Sequence, residues 1–411
     1  MAISVANSPG VDTTRLPAEF VERKGRGHPD SIADLMAETF SFRYANDALD
    51  RFGYVPNHWV DKVTLVGCAA IVDFGGYEIV SPIRALLIGK VTRYMGDEEL
   101  AVHDLFRRTA SDVLTLSTLD PSITKSTVFE DYSTWSRTPD HHRDFYKPRG
   151  SLEAQRAAAG EPYCNDTVIC CGSHGRSFVE QLVVDIETFA TTSLSESLEA
   201  IGTDIKVVAI RHDTTIEAVI CLPVRPEAVQ SWREYQEIRD DAAAQVIAFA
   251  RECLPKSYTL SLKANARDRP GVAYLAPFGT SLGKGDCGLV GRGNRPDGLI
   301  STARAASVEA PWGKNPMNHA GLLYSRSASQ IARAISESLG SPVQVTIAAQ
   351  IGDPLPEPKS VQVEVGRVAA VDAHEARFIT DVVTDQLDSI GQISHDLVTQ
   401  DPLMRFMDKA Q

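Results

Sequence analysis

The chain has 411 residues, 43% of them hydrophobic and 23% charged. That is enough apolar content for two or three packed domains, and no long single-sign block points to wholesale disorder. A formal net charge of -13 argues against general binding to nucleic acid or an anionic membrane, yet leaves room for an anionic small ligand held by local cations. No window approaches the roughly 18 apolar residues of a membrane helix. The seven cysteines form no C-x-x-C pair and show no zinc spacing, which fits a reduced, cytoplasmic protein.

The first dozen residues lack the layout of a signal peptide and read as a loose leader. Residues 21–40 follow, VERKGRGHPDSIADLMAETF. Ile32, Leu35, Met36 and Phe40 keep a helical period, so a helix is predicted from about Asp30 or Ser31, with Pro29 just outside it. His28 and Asp30 then lie at a helix N-terminus, where free N–H groups and the dipole favour anions. Plain capping by Asp30 or Ser31 accounts for the same residues.

Two apolar runs occupy residues 58–90, followed by helical sequence to about residue 117. Residues 118–165 are rich in charge, proline, serine and aromatics, and are expected to form an inserted loop or a connection. The His141–His142 pair there has no partner ligand at helical or hairpin spacing. Residues 205–223 read as a hairpin turning at His212–Thr215, with Lys206 at the head of its first strand and Cys221 as buried filler. A helix is predicted from about Pro226 to Cys253. Glycines crowd residues 279–300, GTSLGKGDCGLVGRGNRPDGLI, among Lys284, Asp286, Arg292 and Arg295. Glycine lets backbone approach a ligand closely and the cations suit phosphate oxygens, although neither a Walker A loop nor a dinucleotide fingerprint is present. In EAPWGKNPMNHAGLLYS, Lys314 precedes a helix expected to start near Asn315 to Asn318; a lysine at a helix entrance is unfavourable unless an anion sits there too. Residues 342–366 again give two strands, and a helix follows from about Ala373 to His395.

Strand, strand, helix thus appears three times. Each amphipathic helix needs a sheet to bury its apolar stripe, so an α+β fold of three similar units is expected. Approximate divisions are 15–120, 121–255 and 256–411, with segments that interdigitate.

In their order along the chain, FVERKGRGHPDSIAD, DFGG with VSPI, GLVGRGNRPDGLIS, GKNPMNHAG and QIGDPLPEPKS resemble methionine adenosyltransferase, most closely the archaeal-type branch. The resemblance implies three interdigitated domains about a pseudo-threefold axis, and a homodimer with active sites at the subunit interface. The ions it implies are magnesium and potassium. The reaction it implies joins ATP and methionine into S-adenosylmethionine and cleaves the displaced triphosphate to phosphate and diphosphate. A thioether carries no proton, so alignment and stabilisation of the departing polyphosphate bear the burden. By motif, His28 lies near the leaving oxygen and Asp30 is a magnesium ligand. Lys206, Arg292 and Lys314 contact the triphosphate, and Asp286 faces the amino acid or ribose. Asp166, Gly291, Asn294, Arg295, Asn318 and Ile351 fall on the substrate side. Arg292 and Lys314 are expected at a loop or helix entrance rather than in the core. Cys68, Tyr77 and Trp312 stand where the family has smaller residues, which opens two alternatives: another acceptor or water in place of methionine, or a non-catalytic nucleotide-binding subunit.

Overall fold

A computed structural model describes residues 1–135 and 163–408. The His141–His142 pair and the 136–162 part of the expected insertion lie outside the described residues. The architecture is α+β, with three mixed sheets each packed against helices.

The first sheet runs Thr127–Asp131, Ile83–Leu87, Thr64–Val66, Gly288–Leu289. The helices Pro29–Phe52 and Val102–Thr118 supply the rest of its core. Ile32, Met36 and Phe40 are fully buried, as their period required. Each such side chain contributes about 1.5–3 kcal/mol on burial. The second sheet runs Thr259–Ala264, Thr215–Cys221, Lys206–His212, Ala18–Lys24, Ile300–Ser301, with the helices Phe178–Phe189 and Trp232–Cys253 in its core. The third runs Ala2–Asn7, Ser360–Val365, Val343–Ala349, Val168–His174, packed on Ala320–Leu339 and on Ala373–Asp388. Every sheet therefore draws strands from distant parts of the chain. The Gly-rich segment lends one short strand to the first sheet and, a few residues on, another to the second.

Several expectations need correction. The leader is not loose: Ala2–Asn7 pairs in parallel with Ser360–Val365 along six residues, and Ile3 and Val5 pack on the third core. The first helix starts at Pro29 with His28 as its N-cap, because proline fits the first helical position, where no N–H is needed. The helix expected near Asn315 starts at Ala320, capped by His319, whose Nδ1 accepts from Gly321 N; Asn315 Oδ1 makes the like bond to Met317 N in the turn before it. The helix expected from Pro226 starts at Trp232, and the one expected to end near His395 breaks at Ser389 and resumes as Ile390–Thr399. Cys221 is only half-buried, and all seven cysteines are free thiols. No helix among the described residues is long and apolar enough to cross a membrane.

Candidate active site

The antiparallel register of Ala18–Lys24 on Lys206–His212 sets Lys24 directly opposite Lys206. Like charges so placed destabilise a sheet unless an anion lies between them. Glu22 partly fills that need, with its Oε1 3.1 Å from Lys206 Nζ and 3.8 Å from Lys24 Nζ. Lys24 Nζ also reaches Asp30 Oδ2 at 3.0 Å and donates to the Arg292 carbonyl at 2.7 Å. Two elements thus bring a lysine pair to the N-terminus of the helix that carries Asp30.

The turn between them is tight. A Cβ on Gly27 would fall 2.3 Å from Thr203 Oγ1, so only glycine lets the chain lie against Thr203–Asp204 before it enters the helix. There His28 Nδ1 accepts the Asp30 N–H at 3.1 Å. In the neutral ring that leaves the proton on Nε2, free to donate. Burial lowers the His28 pKa; Asp204 and Asp30 oppose the shift, while Lys24 and Lys206 add to it.

The Gly-rich segment closes the corner. A Cβ on Gly288 would lie 2.1 Å from the Pro29 carbonyl. This contact lets Leu289 N donate to Asp30 Oδ1 at 3.0 Å and Gly291 N to Asp34 Oδ1 at 2.7 Å. Asn294 brackets Lys24: its Oδ1 accepts from Lys24 N at 3.0 Å and its Nδ2 donates to Lys24 O at 2.7 Å. Arg292 and Asp286 are exposed. Asp204 is buried, accepts from Ser281 N and Oγ, and feels the charges of both His28 and Asp286. His28, Asp30, Lys206, Gly291, Arg292 and Asn294 are therefore gathered around one corner, with Asp286 beside it through Asp204.

Other candidates lie elsewhere. Lys314 is 2% exposed, a correction to its expected place at a loop or helix entrance. It pairs with Glu309 and with Asp61 Oδ2 at 3.5 Å. Its carbonyl lies 2.9 Å from Ser41 Oγ. Ser41 is eleven residues along the helix from Asp30, about 16 Å at the α-helical rise. His319 shares the Lys314 neighbourhood, its pKa held well down by burial and by Lys314, His58 and Lys62. Asn318 follows in sequence, with a buried Oδ1 that finds no donor among the described residues. Asn165 Oδ1 accepts from Ala320 N, and Thr167 Oγ1 accepts from Ile351 N, which sets Asp166 and Ile351, both exposed, near the same helix entrance. Arg295 lines a cavity on another side of Lys24.

Glu22, Lys24 and Asp204 escape the motif reading. The signal was present: Lys24 lies in the basic run RKGR and pairs with Lys206 in the sheet, and Asp204 stands two residues before Lys206. The enlarged residues have partners of their own. Tyr77 packs edge-on against Phe278 with ring centroids 5.3 Å apart, Trp312 lies under the Arg326 guanidinium at 4.8 Å, and Cys68 is fully buried.

Asp30 is an all-oxygen donor suited to a hard cation. Each of its oxygens already accepts one hydrogen bond and keeps further lone pairs. No group of three or more His, Cys, Asp or Glu among the described residues could hold a metal ion by itself. That fits an ion bound through one carboxylate together with substrate phosphates and water, as magnesium usually is.

The family model described as S-adenosylmethionine synthetase (AdoMet synthetase) matches residues 1–401. The S-adenosylmethionine synthase of Aeropyrum pernix is 34% identical over 401 residues, 94% of this chain and 95% of that one. The synthase of Methanococcus aeolicus is 35% identical over 360 residues, 85% of this chain and 86% of that one. A solved structure described as an unusual S-adenosylmethionine synthetase from Campylobacter jejuni aligns with a TM-score of 0.55 at 13% identity, over 96% of this chain and 100% of that one, and so speaks to the fold.

Proposed function

The chain belongs to the S-adenosylmethionine synthetase family, and we propose that it joins ATP and methionine into S-adenosylmethionine at the Lys24–Lys206–His28 corner. The observation that carries this reading is the pair of lysines facing each other across two strands, beside a helix N-terminus and a histidine with a free Nε2–H. Such a corner suits a chain of phosphates.

In the reaction the methionine sulfur uses a lone pair to form a bond to C5′ of ATP. The C5′–O bond breaks, and its electron pair leaves on the triphosphate, one P–O–P bond of which water then hydrolyses to phosphate and diphosphate. No proton moves in the transfer to sulfur, so that step requires neither a general base nor a thiolate. The protein must stabilise growing negative charge on the leaving oxygen and hold the three reacting atoms in line. His28 Nε2–H and the Lys24 and Lys206 ammonium groups do the first, and Arg292, exposed at the mouth, reaches the outer phosphates.

Members of the family use metal ions. Here Asp30 would hold magnesium, which when bound offsets phosphate charge. Asp30→Asn is expected to raise the magnesium requirement and depress turnover. Activity of the native protein that persists in excess chelator would remove this role.

A complete site also requires Lys314, which one chain holds apart from the corner. A second copy is proposed to bring its Lys314, Asn318 and Asp166 to the first chain's Lys206. The sheets offer faces for that contact: Phe20, Val128 and Ile169, one on each sheet, are 45%, 43% and 59% exposed. Incubation with ATP, methionine, magnesium and potassium, followed by mass spectrometry, tests the reaction. S-adenosylmethionine with phosphate and diphosphate is expected; ATP breakdown without any methionine-derived product would refute the assignment.

A further inference from the structure

Behind the Lys24 strand lies a cavity of about 230 Å³, between the first helix, the Gly-rich segment and the C-terminal helix Pro402–Asp408. Six cations line it: Arg23, Lys24, Arg26, Arg295, Arg326 and Arg405. The acidic groups there are Asp34, Glu38 and Glu187. Glu187 is taken by Arg23 at 2.6 Å, and Lys24 is taken by Asp30. Burial pushes the Asp34 pKa well up, which favours its neutral form. Arg26 feels the charges of Glu187 and Glu196, which leaves Glu38 as the acid near Arg326 and Arg405, and it meets them loosely, at 3.5 and 3.9 Å.

The hydrogen-bond ledger points the same way. The Nε atoms of Arg26, Arg326 and Arg405 and the Ser31 Oγ are buried with no acceptor or donor among the described residues. These four atoms have almost no accessible surface and lie behind the cavity wall, where each bond left unmade costs about 1–3 kcal/mol. Trp312 meanwhile braces Arg326 by a cation–π contact at 4.8 Å, so that guanidinium is held in place. Several guanidinium groups lining one space suit an oxyanion with more than one charge. The volume exceeds that of one water many times over, at about 30 Å³ per water.

We propose that this cavity is a second binding site, for a compact phosphate polyanion, which adjoins the reacting corner at Lys24 and Asn294 but draws its own cations from Arg26, Arg326 and Arg405. The anion satisfies the Arg26, Arg326 and Arg405 donors together and ties the C-terminal helix to the helix of Ser31 and Glu38. Inorganic diphosphate and a nucleotide tail share this chemistry. The inference does not depend on the proposed reaction, because it concerns binding alone.

The test is calorimetric titration and thermal unfolding of the full chain with sodium diphosphate, at constant ionic strength and without divalent metal. Arms with ADP and with citrate identify the source. Arg26→Gln is the gentlest probe, because Arg26 has no hydrogen bond or ion pair to lose among the described residues; Arg326→Gln and Arg405→Gln follow. Each is expected to weaken diphosphate binding at least tenfold and to reduce the diphosphate-dependent rise in Tm. Lys206→Met, which alters the reacting corner, should leave that binding in place. ADP binding better than diphosphate, with the same arginine dependence, assigns the site to a nucleotide tail. Tighter binding of citrate than of either phosphate ligand overturns the phosphate class. Diphosphate binding that survives all three arginine variants, or that vanishes in Lys206→Met, places the anion in the reacting corner and overturns the proposal, as does the absence of any binding.

Discussion

Single residues at the corner make separable predictions. Lys24→Met and Lys206→Met each remove one charge aimed at the leaving triphosphate and should lower kcat by about 100- to 1000-fold, the scale for losing one preorganised donor. Near-wild-type turnover in both would dismiss the corner as the reaction site. If His28 acts as the proposed neutral donor, its lowered pKa puts the acid limb of kcat/KM below the ordinary histidine value of 6.5, and the limb should disappear in His28→Asn. A stability effect comes from His58, which is fully buried between Ser41 and the Pro56 carbonyl. Burial lowers its pKa from 6.5 to about 4. The folded value is the lower one, so the unfolded chain takes the proton first as pH falls. Stability is intact above about 6.5 and drains away towards 4. At about 1.36 kcal/mol per pKa unit this group accounts for about 3 kcal/mol. His319 and His28 shift in the same direction. Urea unfolding at pH 7.5 and pH 5 should show the loss, and His58→Gln should shrink it; an equal pH dependence in the variant would rule out His58 as its source.

At the scale of elements, the N-terminal strand is predicted to matter more than its position suggests. Deleting Ala2–Asn7 bares the edge of Ser360–Val365 and removes the half-buried Ile3 and Val5, at a cost of roughly 2–4 kcal/mol. Urea denaturation of the truncated chain measures it, and an unchanged midpoint would show the strand to be dispensable. This strand also marks where the sequence stopped being legible. The helix after GHPD was readable because its period and its proline are local signals. The hairpin at 206–221 was readable because alternation and a polar turn sit together. A parallel pairing between residues 2–7 and 360–365 has no local trace, since the partner is almost the whole chain away. The same holds for the two-residue strands Gly288–Leu289 and Ile300–Ser301, too short for any alternation to show. In the candidate site, motifs marked His28, Asp30, Lys206 and Arg292. Lys24 escaped because its value lies in a cross-strand register, and the burial of Lys314 escaped because a glycine-lysine pair reads as a surface turn.

On the scale of the whole molecule, the corner and the Lys314 cluster are proposed to be two parts of one chemistry held apart in one chain. Lys314 is neutralised by Glu309 and Asp61, and burial pulls its pKa down, with Asp61 opposing. Such a cation is useful where a polyanion arrives to share it, and Ser41, next to it, stands about three helical turns from Asp30. A closed two-fold dimer resolves this if each site takes Lys206 from one copy and Lys314 from the other. The arrangement predicts complementation. Lys206→Met and Lys314→Met homodimers should both be nearly inactive. In a hybrid dimer of the two variants, one site collects both substitutions and the other collects neither. Random mixing makes half of all dimers hybrids, so about a quarter of the wild-type sites should be restored. If instead both lysines served a site within one chain, every site in the mixture would lack one of them and no activity would return. Co-expression with two affinity tags, isolation of the doubly tagged dimer and assay of S-adenosylmethionine formation separates the two outcomes. Lys314→Met leaves Glu309 and Asp61 without their cation, so the Tm of each variant is measured first. A hybrid that is folded, dimeric and inactive would overturn the shared site while leaving the Lys24–Lys206 corner to be judged by its own variants.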